Sequence, residues 1–118
     1  MATIHQVEIF LQEFKIKAGI FGLYFLDSRK KNTQALFDLE LTPGKRREIV
    51  DSIVVKDYSE GPLDDKLNGI ASLWVFGKLY RKQEIYIKIS MGTKDNPAIC
   101  ISFHKAERPM KYPLNQQS

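Results

Sequence analysis

Three side chains able to hold a phosphate and move protons fall at alternating positions in two short segments: Tyr86 and Lys88 in E-I-Y-I-K-I-S, and His104 in A-I-C-I-S-F-H. In an extended chain successive side chains point to opposite faces. The first segment therefore turns Ile85, Ile87 and Ile89 one way and Glu84, Tyr86, Lys88 and Ser90 the other. The second is expected to turn Ile99, Ile101 and Phe103 toward the interior and Cys100, Ser102 and His104 away from it. If the apolar faces meet helices, a phenol, an ammonium and an imidazole share the open face. Such a set can orient a phosphodiester, offset its charge and transfer protons. The competing reading is an ordinary solvated sheet face.

Candidate substrate contacts lie nearby in the sequence. Arg81 and Lys82 occupy a tight turn just before the first segment, and Arg81 is an alternative to Lys88 as the phosphate-stabilising cation. Trp74, Phe76 and Tyr80 alternate on one face with Lys78, an arrangement that can stack bases. Aromatic residues in strands more often form core or cross-strand pairs. Other chemistries find little support. With two histidines, His5 and His104, and one cysteine, no paired ligand spacing for a metal exists. The glycines form neither a dinucleotide-binding fingerprint nor a Walker loop. Cys100, in mid-strand, reads as a small packed residue.

The elements that must position these groups follow from periodicity. Ile4, Val7, Leu11, Phe14 and Ala18 form one helical stripe over about residues 4–17, with Gly19 as its stop. The run from Ile20 to Leu26 reads as a buried strand, followed by Asp27 and Ser28 as caps of a helix near 29–38. Thr42 and Pro43 start another helix, since proline at the first helical position loses no needed N–H. That helix brings Ile49, Val50, Ile53 and Val54 to one face and leaves Lys45, Arg46 and Arg47 exposed. Residues 59–69 read as a loop. Three strands follow, Leu73–Tyr80, Glu84–Ser90 and Ala98–His104, joined by connections short enough for an antiparallel meander. The expected fold is α+β, a single domain over residues 1–118 with helices packed on one face of a small antiparallel sheet of three or four strands. The tail from about 108 to 118, carrying Pro109 and Pro113, should be irregular.

Composition sets the outer bounds. The 118 residues are 43% hydrophobic and 27% charged, a balance that suits one globular domain and not a disordered chain. A lone cysteine excludes an internal disulfide and fits a reducing, cytoplasmic setting. The longest apolar stretch is far short of a membrane span, and the acidic Glu8 and Glu13 near the start argue against a signal peptide. Net charge is +4, unevenly placed: from Trp74 onward 8 Lys/Arg face 3 Asp/Glu, so the half carrying Tyr86 and His104 attracts phosphate.

The segments D-Y-S-E-G-P-L-D-D (57–65), L-W-V-F-G (73–77), E-I-Y-I-K-I (84–89) and C-I-S-F-H-K-A-E-R-P-M-K-Y-P (100–113) resemble the MqsR-family toxins of bacterial type II toxin–antitoxin systems, small ribonucleases of the RelE superfamily. The likeness spans roughly Thr42 to Pro113. It implies a RelE-like fold, metal-independent cleavage of mRNA away from the ribosome, no cofactor, and a cognate antitoxin protein as partner. Tyr86 falls at the family's sheet tyrosine, and His104 where the founding branch has lysine and this branch usually histidine. Glu60 replaces a basic residue before Gly-Pro, Ser59 an aromatic one, and Val75 a glutamine. The chemistry of cleavage by the 2′-hydroxyl then gives the expected roles: His104 as general acid or base, Lys88 or Arg81 as phosphate stabiliser, Tyr86 as orienting donor and Glu60 as a base for the second proton transfer, with Arg81, Lys82, Lys78 and Trp74 as substrate contacts. The alternative is a catalytically inactive relative that binds RNA or an antitoxin.

Overall fold

The computed structural model describes residues 1–66 and 71–115. Residues 67–69 of the expected loop and the last three residues of the expected tail lie outside the described residues. Helix α1 (Ile4–Phe21) opens on a capping box in which Thr3 and Gln6 satisfy each other's backbone N–H groups. It buries Val7, Phe10, Leu11, Phe14 and Ala18. Gly19 does not stop it: the helix runs through and ends at Gly22, whose φ of 90° suits a residue without Cβ. The expected strand from Ile20 shrinks accordingly to β1 (Leu23–Phe25).

Helix α2 (Lys30–Asp38) begins after Arg29, and neither Asp27 nor Ser28 caps it. Asp27 is taken instead by Arg46, through two bonds of 2.7 and 3.1 Å. Arg46 belongs to α3 (Pro43–Asp51), which Thr42 caps as expected. The expectation of an exposed Arg46 fails because its guanidinium lies 3.8 Å over the Phe25 ring while forking onto Asp27, and this pairing permits burial.

After a single 3-10 turn at Val55–Asp57, the segment assigned to a loop forms strand β2 (Tyr58–Leu63). Its Gly61 sits so close to the next strand that a Cβ would lie 3.0 Å from the Leu73 carbonyl oxygen and 3.1 Å from the Trp74 Cα. The Tyr58 hydroxyl donates to the Gly61 carbonyl at 2.5 Å, so a turn-like sequence is fastened into a strand. Strands β3 (Leu73–Tyr80), β4 (Gln83–Ser90) and β5 (Ala98–Lys105) form the expected meander. Arg81 and Lys82, both with positive φ, make the two-residue turn between β3 and β4.

The sheet has five strands in the order β1-β5-β4-β3-β2, with β1 parallel to β5 and every other pair antiparallel. One side is packed with Phe76, Ile85, Ile87, Ile89, Cys100 and Phe103 against the helices, and the fold is α+β. Helix α2 completes the outer edge of β5 beyond the end of β1. The Asn32 amide donates to the Ile101 carbonyl at 2.9 Å and accepts from the Phe103 N–H at 3.0 Å, standing in for a continuation of β1. Among the described residues, no helix is long and apolar enough to cross a membrane.

Candidate functional site

The open face is built in rows across the strands. In one row Glu60 of β2 pairs with Val75 of β3, Val75 with Lys88 of β4, and Lys88 with Ser102 of β5. In the next, Gly77 pairs with Tyr86 and Tyr86 with His104. Tyr86 and His104 are direct cross-strand neighbours, their rings stacked with centroids 5.3 Å apart and planes 14° from parallel.

The face assignments for β5 need one correction. Cys100 was expected beside Ser102 and His104, but it is fully buried in the core opposite Ile89. A bulge accounts for this: Lys88 pairs with Ser102 and Ile89 with Cys100, so Ile101 has no counterpart. An extra residue reverses the alternation. On one side of it Cys100 enters the core; on the other Phe103 does, leaving Ser102 and His104 outside. Burial also pushes the Cys100 thiol far above its ordinary pKa, so it stays protonated.

A cleft of about 640 Å³ lies over these rows and is lined by Glu60, Tyr86, Lys88 and His104 together. The chain after β5 makes its second wall. Glu84 holds that segment, accepting from the Met110 N–H at 3.1 Å and from the Tyr112 hydroxyl at 2.7 Å. Tyr112 crosses Gly77 where no side chain stands; a Cβ there would meet its hydroxyl at 2.3 Å. Through residue 115 the segment after β5 carries no helix or strand, yet it is part of the cleft and brings Arg108 and Lys111 to its rim.

The electrostatics of the cleft follow from these positions. Burial, then the nearby Glu60 carboxylate, raise the Tyr86 pKa, so Tyr86 remains a phenol and a hydrogen-bond donor. Burial, then the Arg29 guanidinium, lower the Lys88 pKa. His104 Nδ1 lies 2.9 Å from the Lys105 carbonyl oxygen. A carbonyl only accepts, so Nδ1 carries a proton and Nε2 is the nitrogen left to exchange one.

The four expected substrate contacts lie elsewhere. Trp74 is on the helix-covered side, stacked on Phe10 at 4.5 Å. Lys78 is on that side too, paired with Asp57 at 3.0 Å. Arg81 reaches Glu40 at 3.1 Å, and neither it nor Lys82 lines the cleft. Their place is taken by residues that sequence reasoning missed: Arg29, Lys31, Arg108 and Lys111. Arg29 and Lys31 carry no local signal, since they reach the cleft only because α2 docks on the edge of β5. Among the described residues, no cluster of three or more His, Cys, Asp and Glu forms that could hold a metal ion. No protein-family model matches the chain, and neither a curated protein nor a solved structure matches it.

Proposed function

We propose that this protein is a metal-independent endoribonuclease that cuts mRNA through the RNA's own 2′-hydroxyl, acting in the cytoplasm as the toxin of a type II toxin–antitoxin pair. The observation that carries the reading is the convergence of Glu60, Tyr86, Lys88 and His104 in one cleft from three different strands. In the reaction Glu60 takes the 2′-hydroxyl proton, and the 2′-oxygen attacks the adjacent phosphorus. The bond from phosphorus to the 5′-oxygen breaks, and that oxygen takes a proton from Nε2 of His104, which enters the step as the imidazolium and leaves it neutral with its proton on Nδ1. The products are a 2′,3′-cyclic phosphate and a free 5′-hydroxyl, so atoms and protons balance. Lys88 offsets the charge that builds on the non-bridging oxygens. Tyr86, kept as a phenol, donates to the phosphate and fixes its orientation beside the imidazole. The cognate antitoxin would silence the protein by occupying this face.

One observation favours a second reading, that of an inactive relative that only binds RNA or an antitoxin. Glu60 places a carboxylate in a cleft meant for a phosphate, and a carboxylate that is not a base would repel substrate. A single assay separates the two. Purified protein incubated with 5′-labelled RNA in excess EDTA should yield fragments ending in 2′,3′-cyclic phosphate, and a 2′-deoxy substitution 5′ of each cut should abolish that cut. Absence of cleavage, or cleavage that EDTA removes, would contradict the proposal.

A further inference from the structure

The residue that precedes α2 is an unusual choice for its place. A helix N-terminus favours Ser, Thr, Asp or Asn, whose side chains satisfy free N–H groups. Position 29 is an arginine that makes no such cap. Its side chain runs to the open face of the sheet, where Nη1 donates to Ser102 Oγ at 3.1 Å and to the Ile101 carbonyl at 3.2 Å. Ser102 pairs across the sheet with Lys88, and Ile101 is the bulged residue whose carbonyl turns toward α2. Both bonds use one nitrogen. The rest of the guanidinium fork remains beside Lys88, at the wall of the cleft that Tyr86 and His104 also line.

Arg29 reaches the sheet beside Lys88, and the two cations repel each other: after burial, the Arg29 charge lowers the Lys88 pKa, against the pull of the Glu60 and Asp65 carboxylates. Glu60, two strands from Lys88 on its row, is exposed and separated from it by Val75. We infer that Arg29 is a further substrate-contacting residue of this cleft, its fork braced by Ser102 so that the open edge grips two non-bridging oxygens of a bound nucleic-acid phosphate next to Lys88. Ser102 is then a positioning residue. A planar fork reads a phosphate in two parallel bonds, which an ammonium cannot do.

This inference rests on the nuclease reading for its catalytic meaning but not for its binding test. The probe is a short 2′-O-methyl oligoribonucleotide, which cannot be cut, titrated at several salt concentrations. Cleavage of ordinary RNA is followed separately. Arg29→Ala should weaken binding of the probe by about tenfold and reduce the salt slope by about 0.7, the value for one phosphate on a single strand. Arg29→Lys should recover affinity to within about threefold yet cleave at least about tenfold more slowly, because charge returns without the fork. Ser102→Ala should lower kcat while leaving KM within about twofold, the mark of a lost orientation and not of lost charge.

An unchanged slope and affinity in Arg29→Ala would overturn the assignment whether or not the protein cuts RNA. If the slope falls as expected but the unaltered protein never cuts, the phosphate contact stands and the nuclease reading fails. A protein that does not bind the probe at all contradicts both.

Discussion

At the scale of single residues the cleft holds one histidine and two exposed carboxylates, Glu60 and the Glu107 that pairs with Lys31, and the division of labour between His104 and Glu60 decides what kind of protein this is. The bond from His104 Nδ1 to the Lys105 carbonyl fixes the tautomer and leaves Nε2 for proton exchange. Glu60 has no such constraint, and its influence is felt at both Tyr86 and Lys88. If Glu60 is the base, Glu60→Gln should slow RNA cleavage by about 10²-fold, within the usual range for a lost proton-transfer group. Glu60→Lys should be at least as slow, although it adds a cation that strengthens RNA binding. Single-turnover rates of the two variants are the check. Faster cleavage in Glu60→Lys would identify the carboxylate as an obstruction and favour the binding-only reading.

At the scale of elements the site depends on how β5 is held. The bulge at Ile101 turns Cys100 inward and keeps Ser102 and His104 outward, and Asn32 fastens the strand at that point. Asn32 is buried, and its removal would orphan the Phe103 N–H, while the Ile101 carbonyl would keep Arg29 as a donor. A buried group left unpaired costs about 1–3 kcal/mol. Asn32→Ala should therefore lower the free energy of unfolding by roughly 1–3 kcal/mol in urea titration; a change under about 0.5 kcal/mol would mean that the edge is held by other contacts. Period-two alternation was enough to place Tyr86, Lys88 and His104 on one face, because β4 is regular and His104 lies on the same side of the bulge as Ser102. The bulge itself left no local trace, so Cys100 was misplaced. Strand β2 was hidden by S-E-G-P, residues that normally mark a turn; here the glycine is required by the backbone of β3 and the tyrosine locks it. Arg29 was illegible for another reason. Its role comes from a docking between segments far apart in the chain, which no window of neighbouring residues contains.

At the scale of the whole molecule, one side of the sheet is committed to the core and the other to the cleft, with α2 along one edge and the C-terminal segment crossing the face. The basic excess seen in the later part of the chain is delivered here by Lys88, Arg108 and Lys111, and the earlier part adds Arg29 and Lys31. The central claim is that this cleft is where RNA is cut, with His104 moving a proton at the leaving oxygen. The most direct measurement is the single-turnover cleavage rate of His104→Ala on labelled RNA, paired with its affinity for an uncleavable oligonucleotide. A group that acts only in the transition state should cost about 10²-fold or more in rate while affinity stays within a few-fold. Full activity in His104→Ala would contradict the account.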